Sequence, residues 1–310
     1  MKILVVGAGA IGGYFGGRLL EKGEDVTFLV RDRRKKELES TGLNIESVNG
    51  DCRLTPPLIT KNSKAQEYDV VLLSTKSYQL AGAIEDVRPF VGKETMVLPL
   101  LNGIAHVDQL VEAFGEQSVI GGLCFVEATL DEKGAIVQAS PMNQLVYGER
   151  SGESIDRIKR LQKSFDGTKA DFVLSGNIEQ EMWHKYLFIT TMSGITTLFE
   201  QPIGPIRQLE SGQRTIAALL KELEEVMLKF GAPVEPGISE KLLDKLNSMG
   251  EGMKSSMQRD AEKSVPIEAD HLQGYLLEKA HELEVAVPVL ETVYTKLKLY
   301  EKTVNNSLHF

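Results

Sequence analysis

Gly7-Ala8-Gly9-Ala10-Ile11-Gly12 follows directly on the apolar run Lys2-Ile3-Leu4-Val5-Val6, and Arg31 stands 19 residues beyond Gly12. Residues of these types at this spacing can hold a dinucleotide. A phosphate bridge needs backbone amides that it can approach closely, and glycine lets a strand turn sharply into a helix whose positive N-terminus faces the anion. Such a motif is weak alone, because 28 glycines in 310 residues give chance matches. Its context strengthens it. Ile11, Tyr14, Phe15, Leu19 and Leu20 carry helical spacing over residues 10 to 22, Gly23 is placed to end the helix, and Val26-Thr27-Phe28-Leu29-Val30 reads as a second buried strand. Where an acid would take a ribose 2′-hydroxyl, Arg31 offers a guanidinium suited to a 2′-phosphate, and Arg33, Arg34, Lys35 and Lys36 make the local field cationic. The expected cofactor is NADP (NADPH); Asp32 keeps NAD open, and the bland alternative for the basic run is a solvated helix face.

Hydride transfer to a carbonyl carbon needs an acid to protonate the oxygen and donors for the substrate's charge. Lys76 in Thr75-Lys76-Ser77-Tyr78-Gln79 and Asn102-Gly103 each follow a strand-like run, and so fall at the sheet edge where such folds bind ligands. Taken singly, they equally suit a solvated loop lysine and a turn. Lys185 is more unusual. It sits mid-helix in Met182-Trp183-His184-Lys185-Tyr186-Leu187-Phe188-Ile189, among aromatic and aliphatic neighbours. Partial burial favours a neutral amine and lowers its pKa toward neutrality, which suits a proton donor; a snorkelling lysine with a buried stem is the competing reading. His184 reads as an ordinary helix histidine, either satisfied or exposed.

The elements that must position these residues alternate strand and helix through the N-terminal half. Tyr68–Thr75 and Thr95–Leu101 read as strands, with a helical stretch between them through Val87. Residues 106 to 114 read as a short helix. Extended runs at Val119–Ala128, Ala135–Ala139 and Gln144–Tyr147 surround a turn at Lys133-Gly134 and suggest additions to the sheet. From Asn177 onward apolar positions fall at helical spacing, with a stripe at Ile216, Leu219, Leu220, Leu223, Met227 and Phe230, and further helices at 238 to 249, 267 to 283 and 288 to 303. The expected fold class is α/β: an N-terminal doubly wound Rossmann-type sheet over residues 1–176, binding NADP, and a C-terminal all-helical substrate and catalytic domain over 177–310. Such pairings usually put substrate in the cleft between domains.

The formal net charge of −9 argues against nucleic acid as the main partner, and no apolar run approaches the ~20 residues of a membrane span. Met1-Lys2-Ile3 leads straight into a strand, which leaves no room for a signal peptide, so a cytoplasmic location is expected. Cys52 and Cys124 are too few for a disulfide framework or a zinc cluster, and no metal is expected. The apolar surface of the helical part is compatible with a homodimer.

At these residues the chain resembles the ketopantoate reductase (2-dehydropantoate 2-reductase) family of NADPH-dependent enzymes of pantothenate biosynthesis. The resemblance spans nearly the whole chain, through Gly7 to Gly12, Thr75-Lys76 with Gln79, Asn102-Gly103, Trp183-x-Lys185, and Ser255-Ser256-Met257-Gln258-Arg259-Asp260 followed by Glu268 and Gly274. It implies that Lys185 is the general acid. It further implies that Glu268 hydrogen-bonds the substrate hydroxyl, that Ser256 binds the substrate carboxylate, and that Asn102 positions substrate and nicotinamide. Lys76 and Gln79 would line the cofactor pocket, and Arg31 would meet the 2′-phosphate. Without the resemblance, Ser256 reads as a helix cap and Glu268 as a first-turn acid.

One departure bears on the substrate. The family usually places asparagines four and eight residues after the lysine, on the same helix face, where they contact substrate. Here those positions are Ile189 and Ser193, and Ser193 is counted with Asn102 and Ser256 among the substrate-binding positions. A missing polar partner costs on the order of 1–3 kcal/mol, which points to a bulkier or less polar 2-keto acid as the alternative to ketopantoate itself. Two other classes remain: a β-hydroxyacid or opine-type dehydrogenase, and a non-catalytic NADP-binding sensor.

Overall fold

The first apolar run forms strand β1 (Lys2–Val6), and the glycine loop leads from it into helix α1 (Ala10–Lys22) and strand β2 (Asp25–Leu29). These elements belong to a computed structural model that describes residues 1 to 307. Contacts divide the chain into two units. One comprises Met1–Leu101 and His106–Glu179; the other takes Asn102–Ala105 and the chain from Gln180 onward.

In the first unit the chain continues through α2 (Asp32–Thr41), β3 (Leu43–Ser47), β4 (Cys52–Leu54), β5 (Leu58–Ile59), β6 (Val70–Leu73), α3 (Leu80–Val87), β7 (Met96–Pro99) and α4 (His106–Phe114). It closes with β8 (Gly121–Leu130), β9 (Ile136–Gly148), α5 (Asp156–Phe165) and β10 (Asp171–Leu174). One sheet has the parallel order β5-β2-β1-β6-β7, which is the doubly wound arrangement. Its register pairs Val6 with both Leu29 and Leu73, so the three strands end level and the loops after them leave one edge together.

The residues around 119 to 148 do not extend that sheet. β8 and β9 pair with each other and join β10, β3 and β4 in a second sheet, where Ile45 is in register with Ile136. Helix α1 lies between the two sheets. A Cβ on Gly16 would stand 2.7 Å from Val5 of the first, and one on Gly17 2.6 Å from Ile45 of the second, so the helix backbone packs closely on both. Tyr14, Phe15 and Leu19 are fully buried there, each stabilising the unit by roughly 1.5–3 kcal/mol.

The second unit is helical: α6 (Ile178–Phe199, entered from the first unit), α7 (Ile203–Gln208), α8 (Glu210–Phe230), α9 (Ile238–Ser248), α10 (Ser256–Glu262), α11 (Tyr275–Glu282) and α12 (Pro288–Ser307). The expected helix over 267 to 283 is interrupted, because Asp270–Gly274 is wound as a π-turn before α11 begins. The α8 stripe is core from Ile216 to Met227, but Phe230 at its end is 40% exposed and stacks on Trp183 with ring centroids 5.9 Å apart. Among the described residues, no helix is long and apolar enough to cross a membrane.

Candidate functional site

Gly7 adopts φ +92°, a conformation that costs glycine nothing and a side chain much, and this turns the chain from β1 toward α1. Gly12 is held by volume. A Cβ there would lie 2.0 Å from Ser74 Oγ and 2.3 Å from the carbonyl oxygen of Gly7. Ser74, just past β6, donates to Val6 O at 3.0 Å and sits 3.2 Å from Gly7 O, which fastens the loop. Around Gly9, the residue capping α1, a Cβ would meet nothing within 4 Å. The loop is thus packed from behind and open in front, where the first amides of α1 lack helical partners and suit a pyrophosphate.

That open side belongs to a cavity of about 770 Å³ within the first unit. Gly7, Ala8, Gly9, Arg31, Thr75 and Gln79 line it, whereas the side chains of Ala10 and Ile11, and Gly12 and Lys76, are not part of its lining. Arg31 caps α2 without a side-chain cap bond and is exposed. Its surroundings are less cationic than the local sequence suggests. Arg31, Arg33, Arg34, Lys61 and Lys133 share the walls with Asp32, Glu37, Asp86, Asp131 and Glu132, the last two brought in by the β8–β9 turn. Arg34 is structural: Nε donates to Ala8 O, Nη2 to Gly134 O, each at 3.2 Å, and Nη1 to Glu37 at 3.3 Å. Hydrogen bonds from Arg33 and Arg34 hold the Glu37 carboxyl below its usual range.

In the second unit Lys185 lies half-buried on α6, and its Nζ donates to Asn102 Oδ1 at 3.0 Å. Asn102 is held in turn by His271, whose Nε2 lies 2.7 Å from the Asn102 backbone oxygen. Burial pushes the His271 imidazole below its usual pKa, against the upward pull of Glu268. The turn at 102–103 is seated tightly, since Gly103 has φ +82° and a Cβ there would stand 3.1 Å from the His271 ring. Tyr186, beside the lysine, is fully buried and donates to Leu272 O at 2.5 Å; burial raises its phenol well above the ordinary range. These contacts bring Lys185, Asn102 and Glu268 into one neighbourhood with the π-turn.

The remaining predicted positions behave differently. Ser193 is 3% exposed, accepts from Gln273 Nε2 at 2.9 Å and lies 3.4 Å from Thr190 O, so its hydroxyl is satisfied inside the helical packing. Ile189 is half-buried on the Lys185 face. Ser256 is not the cap of α10. That role falls to Ser255, whose Oγ accepts from Gln258 N at 3.0 Å and meets Thr196 Oγ1 at 2.8 Å, which leaves Ser256 exposed as the first helical residue. His184 accepts from Glu235 N at 3.1 Å. Sequence reasoning missed Ser74, His271 and Gln273, and it counted Arg34 only as part of the cationic field; the one usable signal was the placement of His271 three residues after Glu268, one helical turn on.

Residues 3–152 match the family model described as "Ketopantoate reductase PanE/ApbA", and residues 177–301 match "Ketopantoate reductase PanE/ApbA C terminal". A Bacillus subtilis (strain 168) protein named "Uncharacterized oxidoreductase YkpB" is 48% identical over 97% of this chain and 99% of its own. Among solved structures, 2-dehydropantoate 2-reductase from Geobacter metallireducens GS-15 is 26% identical, with TM-score 0.86 over 96% of this chain and 99% of that one. D-mandelate dehydrogenase, solved with NADH and anilino(oxo)acetate, is 21% identical and shares the fold, with TM-score 0.87 over 98% of this chain and 100% of that one.

Proposed function

The chain belongs to the ketopantoate reductase family, whose members are oxidoreductases acting on CH–OH groups, and from that premise we propose that it reduces a 2-oxo acid with NADPH. The observation carrying this reading is the Lys185 Nζ to Asn102 Oδ1 contact of 3.0 Å, which orients the ammonium of a half-buried lysine. The glycine loop, open on one side and packed on the other, fits a dinucleotide, and Arg31 on the cavity wall favours the 2′-phosphorylated form. When bound, the reduced nicotinamide supplies a hydride to the substrate carbonyl carbon.

The chain's own residues do the rest. Lys185 gives a proton from Nζ to the carbonyl oxygen and is left as a neutral amine. Asn102 holds Nζ in place, and Glu268 hydrogen-bonds the substrate hydroxyl. Ser256, exposed as the first residue of α10, meets the carboxylate. With ketopantoate as substrate, the product is pantoate.

A second reading concerns the substrate's far end. Ser193 spends its hydroxyl on Gln273 and Thr190, and Ile189 is apolar, so neither supports recognition of a substrate hydroxyl. This favours a branched or aryl 2-oxo acid without one. Comparing ketopantoate with 3,3-dimethyl-2-oxobutanoate, its analogue lacking the hydroxyl, tests the point. A site that reads the hydroxyl prefers ketopantoate by about tenfold or more in kcat/KM; comparable values support the less polar substrate. No NADPH oxidation with any 2-oxo acid overturns both readings.

A further inference from the structure

His271 joins the proposed proton donor through two hydrogen bonds and one steric fit. Its Nε2 lies 2.7 Å from Asn102 O, and Asn102 Oδ1 in turn accepts from Lys185 Nζ at 3.0 Å. A backbone oxygen can only accept, so Nε2 carries the hydrogen. The Asn102-Gly103 turn packs closely on the ring: Gly103 has φ +82°, and a Cβ there would stand 3.1 Å from ring atoms. His271 also lies within the π-turn Asp270–Gly274, a departure from α-geometry of the kind that recurs at functional sites.

We infer that His271 is a positioning residue: by holding the Asn102 backbone it keeps the Asn102 carboxamide oxygen on the Lys185 ammonium and so aims the proton at the substrate carbonyl. The inference rests on Lys185 being the proton donor. Glu268, two residues before the π-turn, and the Asn102 carbonyl both act on the imidazole; burial outweighs the Glu268 charge, so the ring is neutral near pH 7 with its hydrogen on Nε2. Neutral imidazole serves this purpose well, because it adds no positive charge beside the lysine that must later regain its proton.

The test uses the full-length enzyme and a double-mutant cycle. His271→Phe removes the donor and lowers kcat about tenfold, with KM for the dinucleotide unchanged, as expected for loss of one well-placed hydrogen bond. His271→Gln, which can return an N–H near the Nε2 position, recovers most of that loss. In an Asn102→Ala background His271→Phe has no further effect on kcat; additive effects overturn the inference. An arm independent of turnover follows the Asn102 side-chain amide in 15N spectra, identified by its absence in Asn102→Ala. That signal moves in His271→Phe and returns in His271→Gln, and indifference to His271 also overturns the inference. If the parent reduces no 2-oxo acid, the functional reading fails separately, while the spectra still decide whether His271 holds Asn102.

Discussion

Replacing Arg31 and Arg34 one at a time separates recognition of the cofactor from support of the loop that holds it. Arg31 is exposed on the cavity wall, whereas Arg34, with a side chain 19% exposed, donates to Ala8 O and Gly134 O at 3.2 Å each. An arginine–phosphate contact contributes about 1.5–3 kcal/mol. At about 1.4 kcal/mol per decade, this is roughly ten- to a hundredfold in affinity. Arg31→Ala is therefore expected to weaken NADPH by that factor and to leave NADH, which has no 2′-phosphate, as it was. Arg34→Ala breaks two bonds to backbone carbonyls worth about 0.5–1.5 kcal/mol each, and its exposed pairing with Glu37 adds little. It should weaken both dinucleotides alike and lower the melting temperature by several degrees, at roughly 2–4 °C per kcal/mol for a unit of this size. Fluorescence titrations with both nucleotides, together with thermal melts, read these outcomes. Equal losses of NADPH and NADH in Arg31→Ala, or selective loss of NADPH in Arg34→Ala, refute this division of roles.

Gly12→Ala drives a methyl to within 2.3 Å of the Gly7 carbonyl, so the loop itself must move; we expect at least tenfold weaker dinucleotide binding and a cost of about 1–3 kcal/mol, and parental affinity in the same titration contradicts it. Burial pushes His184 below its usual pKa, and its Nε2 accepts from Glu235 N, so protonation favours the unfolded chain. Its contribution to stability is then complete above about pH 6.5 and is lost as pH falls toward the folded-state pKa, with His271 acting in the same direction. His184→Gln keeps an acceptor and should flatten the acid-side decline in melting temperature; an unchanged slope means that His184 does not titrate as argued.

The cofactor half was legible because its signals are local. The run Lys2–Val6, the glycine spacing and the α1 periodicity all lie within about thirty residues, and the observed elements begin and end close to where they were expected. The second sheet was not legible. β3 and β4 are five and three residues long with mixed patterning, and β3 acquires its meaning only by pairing with β9 some ninety positions away. Lys185 stood out as a lone charge among apolar neighbours, yet what orients it did not, since His271 reaches Asn102 across 169 residues. The same holds for Ser193: its face on α6 followed from helical spacing, but its capture by Gln273 follows from how the π-turn packs.

In the proposed reaction Lys185 protonates a 2-oxo acid during NADPH-dependent reduction. Its most direct test measures NADPH oxidation with ketopantoate and a panel of branched 2-oxo acids, for the parent and for Lys185→Ala. The account predicts measurable turnover by the parent and a fall of at least ~100-fold in kcat for Lys185→Ala, the lower range for loss of a general acid. Dinucleotide affinity should be unchanged, because Lys185 does not line the cavity beside the glycine loop. A near-parental rate in Lys185→Ala contradicts the account.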